Sequence, residues 1–328
     1  MKFRILGKTG YNVSEISIGT WQLGGKWGEP LDEEVAQNTL NTAVSNGINF
    51  FDTADVYKEG KSEQFCGKFS KTTKEKVYVA TKCGRRLDPH DAEGYNEKNI
   101  RKFVDDSLKN MELNTIDLLQ LHCPPTEVYY RPSVFDILDS LIDEGKVRNY
   151  GVSVEKVEEA LKAIEFPNIS TVQIIFNIFR QRPSELFFEQ AKKKNVGIIV
   201  RVPLASGLLS GKFSKDTVFK EGDHRNFNRE GQAFDKGETF SGVDYETGLK
   251  AVEKIKTIFE NPENLAPYAL RWILMFDAVS CIIPGASNFK HVISNTSASE
   301  LPALTKSQMN EIQDIYEKMV KPSVHQRW

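Results

Sequence analysis

The sequence lacks the features that mark several classes of protein. No run of 18 apolar residues occurs in its 328 positions, so no transmembrane helix is predicted. A net charge of −2 at pH 7 gives no electrostatic reason to expect binding to nucleic acid or to a membrane surface. The start of the chain has no apolar segment of the kind that a secretory signal peptide needs, so nothing predicts export.

Cysteine is also scarce: the four cysteines are far apart and form no Cys-x-x-Cys pair. This pattern favours a reducing compartment, and a cytoplasmic location is expected. Five dispersed histidines give no spacing for a metal site, and none is predicted. The Gly-x-Gly-x-x-Gly of Rossmann folds, the Walker loop and the Gly-x-Ser-x-Gly of serine hydrolases are all absent.

What is present is a regular alternation of strand-like and helix-like segments. A hairpin is predicted over residues 3–13, and eight apolar strands follow, separated by segments with helical periodicity. The predicted strands are 14–19, 50–52, 77–82, 116–122, 149–153, 171–177, 197–202 and 278–283. Since buried parallel strands appear as continuous apolar runs, we predict an α/β fold. It is one (β/α)8 TIM barrel over residues 1–328, with the hairpin at its N-terminal bottom.

A long stretch after the seventh strand, residues 203–245, is rich in Gly, Ser, Asp and charged side chains. Loops of this length inside a compact domain are usually functional or disordered. Loops that follow barrel strands lie over the C-terminal face, where barrel active sites form. We therefore predict a mobile clamp over a ligand, with simple disorder as the alternative.

Polar side chains stand at the ends of three consecutive predicted strands. Asp52, Lys82 and His122 end the second, third and fourth strands, and Tyr57 comes five residues after Asp52. Because the carboxyl ends of barrel strands meet at one rim, these four side chains should lie together. The alternative is a structural ion pair between Asp52 and Lys82 beside a packed rim histidine.

Together the four side chains would form a proton-donating site. The ordinary pKa of tyrosine is about 10, and the charge of Lys82, held by Asp52, is expected to lower that of Tyr57. Tyr57 would then exchange a proton with a developing alkoxide, and His122 would orient the same oxygen.

Two stretches near the end of the barrel could bind phosphate. Residues 203–212 follow the seventh strand and offer backbone N–H groups, two hydroxyls and Lys212. Residues 284–291 lead from the eighth strand into a helix capped by Ser287 or Asn288, where free N–H groups and the helix dipole attract anions. Each is also an ordinary way to begin a helix. On neighbouring strands, however, the two together predict a dinucleotide across the rim.

These motifs occur in an order that resembles the aldo-keto reductase family over nearly the whole chain. The matching segments are Lys8-Thr9-Gly10, Gly19-Thr20-Trp21, Asp52-Thr53-Ala54 with Tyr57, Ala80-Thr81-Lys82, Leu121-His122, Gly151-Val152-Ser153, Gln173 with Asn177, and Ile283-Pro284-Gly285-Ala286. The resemblance implies a TIM barrel and reversible reduction of aldehydes or ketones by NADPH, with NADH as the alternative. It makes Tyr57 the general acid/base, Asp52 and Lys82 its tuning residues, and His122 the carbonyl-orienting group.

The resemblance also implies a set of cofactor contacts. Ser153 and Gln173 would hold the nicotinamide carboxamide. Ser206, Leu208, Ser210 and Lys212 would lie along the pyrophosphate. Ser287, Lys290 and His291 would lie near the adenosine 2′-phosphate, with Asn295 near the adenine. The expected cofactor residues are Gly19, Thr20, Trp21, Asp52, Ser153, Gln173, Arg201, Pro203, Leu204, Ser206, Leu208, Ser210, Lys212, Gly285, Ser287, Lys290, His291 and Asn295.

Two positions depart from the pattern of the family. Val154 stands where many relatives carry an asparagine, which removes one partner for the carboxamide. Arg201 stands where many carry an aromatic residue that stacks on the nicotinamide. A charged Arg201 would disfavour the oxidised cofactor unless a carboxylate or phosphate neutralises it.

The expected substrate is a small carbonyl compound or alcohol, and its identity stays open, as does the oligomeric state. Its expected contacts are Trp21, Trp27, Tyr57, His122, Cys123 and Arg225, although the two tryptophans could equally be rim packing. Residues 325–328 would cover the mouth or form a disordered tail. One alternative function is a redox-sensing regulatory barrel that resembles potassium-channel β subunits. Another is an isomerase or aldolase with Lys82 as a Schiff-base amine.

Overall fold

The computed structural model describes residues 1–25 and 31–328, so the predicted contact Trp27 lies outside the described residues. The strands are β1 (Phe3–Ile5), β2 (Asn12–Ser14), β3 (Ile18–Gly19), β4 (Phe50–Asp52), β5 (Tyr78–Cys83), β6 (Leu118–His122), β7 (Tyr150–Ser153), β8 (Ile169–Ile175), β9 (Gly197–Arg201) and β10 (Val279–Ile282). The helices are α1 (Glu33–Ser45), α2 (Lys61–Thr72), α3 (Glu97–Met111), α4 (Pro132–Asp143), α5 (Val157–Ala163), α6 (Phe187–Lys193), α7 (His224–Phe227), α8 (Tyr245–Ile258), α9 (Ala266–Leu274), α10 (Phe289–Thr296), α11 (Lys306–Ile315) and α12 (Lys321–Val324).

The eight strands β3 to β10 are parallel and lie side by side in chain order. The pairs Ile16–Ile282 and Gly19–Gly285 connect the first of these strands to the last, so the sheet forms a nearly closed barrel. Every predicted barrel strand overlaps an observed one, and the (β/α)8 prediction is confirmed. None of the helices in the described ranges is long and apolar enough to cross a membrane.

The hairpin covers the bottom of the barrel, as predicted. β1 and β2 pair antiparallel across the turn Gly7–Thr9. Leu6 and Val13 from the hairpin join barrel residues in one buried apolar cluster, whose other buried members are Phe50, Ala80, Leu118, Ile199, Cys281 and Ile283. The turn approaches β9 so closely that a Cβ on Gly7 would lie 2.1 Å from the backbone nitrogen of Gly197. Only glycine fits there.

The long loop after β9 folds into short helical turns over the C-terminal rim. The turns are Ala205–Ser210, α7, Lys236–Glu238 and Phe240–Gly242, and α8 follows them. Asn177, after β8, anchors the loop by donating to the Ser241 hydroxyl (2.7 Å) and to the Val202 carbonyl oxygen (2.9 Å). The predicted position over the rim is correct, and the mobility of the loop stays a prediction.

The loop after β4 places Tyr57 against the neighbouring strand. The backbone nitrogens of Thr53 and Asp55 donate to Ala80 (2.8 Å) and Lys82 (3.3 Å) of β5, so the chain continues along that strand for three residues. A turn from Ala54 to Tyr57 then leads into α2. Hydroxyl groups on both sides of this loop are linked, because Ser62 bonds to Thr53 (2.9 Å) and to Thr20 (2.8 Å).

The same loop buries the carboxyl group of Asp55. The residue is 3% exposed, and neither carboxyl oxygen has a hydrogen-bond partner among the described residues. Its nearest cation is Arg86, whose Nε lies 4.0 Å away. Desolvation, reinforced by the nearby Glu63 carboxylate, raises the pKa of Asp55 to about 7.

Gly7→Ala should destabilise the protein by about 3 kcal/mol, because the left-handed backbone and the contact with Gly197 both oppose a side chain. Gly10→Ala is the matched control, since Gly10 has the same left-handed backbone but no atom within 4 Å of the added Cβ. It should cost only about 1–2 kcal/mol. Urea unfolding of the two variants measures the difference, and equal losses would show that the hairpin does not pack as described.

Asp55 should make stability fall as pH rises. An acid whose pKa is raised on folding stabilises the protein fully below its unfolded pKa, about 4, and this contribution disappears as pH rises through about 7. Three pKa units correspond to about 4 kcal/mol at most. Asp55→Asn should therefore gain free energy of unfolding relative to wild type between pH 4 and 8.

The control for this measurement is Asp106→Asn. Desolvation of Asp106 is outweighed by hydrogen bonds from Lys102 and Arg86, which hold its pKa below the ordinary value. Its contribution should be weaker and of opposite sign, because a lowered pKa gives stability that is present above the unfolded pKa. A flat difference between wild type and Asp55→Asn across this pH range would contradict the burial of an unpaired carboxyl group.

Candidate active site

A buried ion pair between Asp52 and Lys82 lies at the C-terminal end of the barrel interior. Nζ of Lys82 donates to Oδ1 of Asp52 (2.5 Å), to the carbonyl oxygen of Thr53 (2.8 Å) and to the hydroxyl of Tyr57 (3.3 Å), which uses all three of its hydrogens. The second Asp52 oxygen accepts from Gln120 (3.0 Å) and Gln173 (2.8 Å). Both charges are therefore paired and hydrogen-bonded, which is the condition for burying them.

Tyr57 contacts this pair through its hydroxyl and its ring. The Lys82 ammonium lies 4.8 Å from the ring centroid as well as within reach of the hydroxyl. Burial raises the pKa of Tyr57 above its ordinary value, and the charge of Lys82 offsets only part of this rise. The expectation of a lowered pKa was therefore wrong, because desolvation of the phenol exceeds the attraction of the ammonium. Tyr57 stays protonated near neutral pH.

His122 packs edge-on against Tyr57, with 6.0 Å between the ring centroids and an angle of 82°. Burial, together with the cations Arg85, Lys82 and Arg201, holds the pKa of His122 well below its usual range. The imidazole is thus neutral, and one ring nitrogen can donate a hydrogen bond. Within residues 1–25 and 31–328 its buried Nδ1 has no partner.

A cavity of about 1030 Å³ opens beside these groups and extends along the rim. Three of the four predicted catalytic residues, Asp52, Tyr57 and His122, line this cavity. Other predicted residues that line it are Gly19, Trp21, Gln173, Arg201, Pro203, Leu204, Ser206, Ser210, Lys212, Arg225, Gly285, His291 and Asn295. The long loop supplies part of the wall, as the clamp prediction required.

Several predicted site residues do not line this cavity. They are Thr20, Lys82, Cys123, Ser153, Leu208, Ser287 and Lys290. Thr20 instead donates to the Asp52 carbonyl oxygen (3.0 Å), and Leu208 is fully buried. Ser153 and Cys123 lie behind the wall, with 3.5 Å between the hydroxyl oxygen and the sulfur. Gln173 borders the cavity, but its amide nitrogen donates to Asp52 and to Gln120.

The residues that sequence reasoning missed include Arg85, Glu155 and Glu238, and the two glutamates pair with the predicted Arg201. Arg201, at the end of β9, pairs with Glu155 (2.8 Å) and Glu238 (3.5 Å), and Arg85 pairs with the same two carboxylates (3.1 and 2.7 Å). The charge of Arg201 is therefore neutralised, which removes the objection to the oxidised cofactor. Gln120 was also missed, although it stands two positions before His122 and so on the same side of β6.

Two of the residues expected near the adenosine part of a dinucleotide, His291 and Asn295, line the cavity, whereas Ser287 and Lys290 do not. His291, Asn295, Asn264 and Lys212 line it, and the Lys212 charge, after burial, contributes to a lowered pKa of His291. Asn288 caps α10, because its side chain accepts from the backbone nitrogens of Lys290 and His291 (3.0 and 3.3 Å). These first N–H groups of the helix are therefore already engaged.

Comparisons with known proteins agree with this architecture. The model of the Aldo/keto reductase family matches residues 15–317. The chain is 29% identical over 281 residues to aldo-keto reductase YhdN of Bacillus subtilis, which covers 84% of this chain and 81% of that protein. It is 26% identical to a probable voltage-gated potassium channel subunit beta of Oryza sativa, over 98% of both chains.

A solved structure gives the same result. The holo form of aldo-keto reductase AKR11C1 from Bacillus halodurans superposes with a TM-score of 0.77 at 28% identity, over 100% of this chain and 99% of that one. The potassium-channel relative fits the same family and so does not favour the regulatory alternative. The chain belongs to the aldo-keto reductase family and is an NAD(P)H-dependent oxidoreductase.

Proposed function

We propose that this enzyme reversibly reduces a small aldehyde or ketone with NADPH, using Tyr57 as general acid. The observation that carries the proposal is the Lys82 ammonium, bonded to both Asp52 (2.5 Å) and the Tyr57 hydroxyl (3.3 Å) at a cavity that His122 also lines. The phenol keeps its proton at neutral pH, which suits donation to a developing alkoxide.

The cavity residues fit a nicotinamide dinucleotide. Tyr57 and His122 line the cavity, and so do Lys212 and His291, where a 2′-phosphate would gain contacts with an ammonium and an imidazole. Gly285 and Asn295 would border the adenosine, and Ser210 and Leu204 the pyrophosphate. When bound, the cofactor supplies the hydride. The roles proposed for the buried Ser153 and Leu208, and for Ser287 and the exposed Lys290, have no support from the cavity, because none of the four lines it.

The protein residues supply proton transfer and orientation. Tyr57 donates its proton to the substrate oxygen, and the Lys82 charge stabilises the tyrosinate that remains. Asp52 keeps Lys82 charged, because its carboxylate contributes, against the effect of burial, to a raised pKa of Lys82. The neutral His122 hydrogen-bonds the same substrate oxygen. In the oxidative direction Tyr57 accepts the proton from an alcohol.

The same contacts count against Schiff-base chemistry at Lys82. A nucleophilic amine must be unprotonated, whereas the pKa of Lys82 is raised and all of its hydrogens are engaged. We also propose a cytoplasmic location, which the four unpaired, buried cysteines support.

Tyr57→Phe should lower kcat by about 10²- to 10⁴-fold, because it removes the proton donor and leaves the ring in place. Its Kd for NADPH should stay unchanged. Tyr78→Phe, the same chemical change at the opposite end of the barrel, is the matched control and should keep full activity. A wild-type protein that binds NADPH but reduces no aldehyde would instead favour the redox-sensing alternative.

NADPH should bind at least about tenfold more tightly than NADH, a difference of about 1.4 kcal/mol. Lys212→Met should weaken NADPH binding more than NADH binding and so reduce this preference, because the Lys212 charge lies near His291, where the 2′-phosphate is proposed to bind. Lys215→Met, an exposed residue of the same loop, is the control. Quenching of tryptophan fluorescence can follow binding, since Trp21 lines the cavity. Equal affinities in wild type would remove the cofactor preference but leave the reductase proposal intact.

A further inference from the structure

Glu238 brings a carboxylate from the long loop into the wall of the cavity, between two arginines. Its Oε1 lies 2.7 Å from Arg85, which follows β5, and 3.5 Å from Arg201 at the end of β9. All three residues line the cavity. Glu155, behind them, pairs with the same arginines at 3.1 and 2.8 Å. The four side chains, here named the charged ring, are two guanidinium groups and two carboxyl groups; burial raises the pKa of Glu155 to about 7, whereas that of Glu238 is lowered by the two arginines.

The charged ring lies next to the predicted reaction centre. Arg85 and Arg201 line the same cavity as His122, and a guanidinium nitrogen of Arg201 lies 3.6 Å from Sγ of Cys123, the residue that follows His122. A substrate oxygen held by Tyr57 and His122 would therefore place the adjoining substrate atoms near the ring. Two guanidinium groups are the usual protein ligands for a carboxylate or phosphate. Here the Glu238 carboxylate already pairs with both guanidinium groups.

We infer that Glu238 is a specificity-determining residue that rejects substrates with a carboxylate or phosphate next to the reacting carbonyl and admits neutral ones. An anionic substrate would have to approach the Glu238 carboxylate or displace it from both arginines. Like-charge contact of this kind is how sites discriminate against a competing ligand. The inference rests on the proposed carbonyl reduction.

Trp328 is the positioning residue for Glu238. Its indole nitrogen donates to Oδ1 of Asp235 (2.8 Å), three residues before Glu238. A Cβ on Gly237 would lie 2.9 Å from the indole, and one on Gly242 would lie 2.3 Å from it. The loop therefore packs against the indole both before and after Glu238 in the sequence. The Arg180 guanidinium stacks on the indole, 4.2 Å from the centroid. Trp328 is thus buried under the loop, and residues 325–328 are not a disordered tail.

The test compares two aldehydes of similar shape, neutral methylglyoxal and anionic glyoxylate. Wild type should prefer methylglyoxal in kcat/KM. Glu238→Gln keeps the size of the side chain and removes its charge, so the ratio should shift toward glyoxylate by about tenfold or more. Adding Arg85→Met to this variant should reverse the shift, because the released guanidinium is then gone. An equal loss for both aldehydes in Glu238→Gln would overturn the inference.

Trp328→Ala should shift the ratio in the same direction, since the loop that carries Glu238 loses its support. Trp328→Phe keeps a ring on Arg180 but loses the hydrogen bond to Asp235, so it should restore only part of the wild-type ratio. Arg327→Ala, an exposed neighbour, should leave the ratio unchanged. A merely structural role for Trp328 would lower the rates for both aldehydes equally. The Trp328 series also keeps the test decisive if Glu238→Gln does not fold.

A binding measurement separates this inference from the proposed function. Oxamate carries a carboxylate but is not an aldehyde, and its binding to the cofactor-loaded protein can be followed by tryptophan fluorescence. Glu238→Gln should bind oxamate about tenfold more tightly than wild type. If wild type reduces neither aldehyde, the proposed function fails, and oxamate still decides the role of Glu238. Equal oxamate affinities would overturn the role of Glu238 whatever the turnover.

Discussion

The buried ion pair between Lys82 and Asp52 is the interaction on which the rest of the site depends. Burying two charges costs several kcal/mol each unless both are paired and their remaining hydrogen-bonding groups are satisfied. Here the partners come from four strands: Asp52 from β4, Lys82 from β5, Gln120 from β6 and Gln173 from β8. The pair is satisfied only when these strands are in register. Closure of the barrel and assembly of the site are therefore a single structural event.

Burial and the surrounding cations together set the protonation states of Tyr57 and His122, the two groups proposed to face the substrate. Arg85 and Arg201 join burial in keeping His122 neutral, so that it can donate a hydrogen bond without a net charge. Burial keeps Tyr57 protonated, and the charge of Lys82 partly stabilises the tyrosinate that forms when Tyr57 loses its proton. Glu155 and Glu238 pair with the arginines, which allows so many ionisable groups to lie close together. This arrangement favours carbonyl reduction at neutral pH.

The sequence predicted the parts of the site that depend on strand ends. Asp52, Lys82 and His122 follow apolar strands directly, and parallel strands in a barrel must bring their ends together. Gln120 could have been predicted in the same way, because inward-facing residues recur at every second position of a strand and Gln120 stands two positions before His122. Arg85 and Glu238 were not, since Glu238 reaches the cavity through loop turns that contacts with Trp328, Asn177 and Ser206 determine. Thr20 and Ser153 were predicted to contact the cofactor but do not line the cavity. A matching motif does not show which hydroxyl groups face the cavity.

The apolar cluster under the site has a consequence for proton supply. Leu6 and Val13 of the hairpin, with Phe50 and Leu118 of the barrel, fill the interior below Asp52 and Lys82 with groups that carry no proton. These apolar side chains offer no path for protons or ions from the bottom of the barrel to the site. In the proposed mechanism, a proton that Tyr57 gives away is therefore replaced from the mouth, through the same opening that would admit the substrate. Departure of the product and recharging of the acid are then linked steps of one cycle.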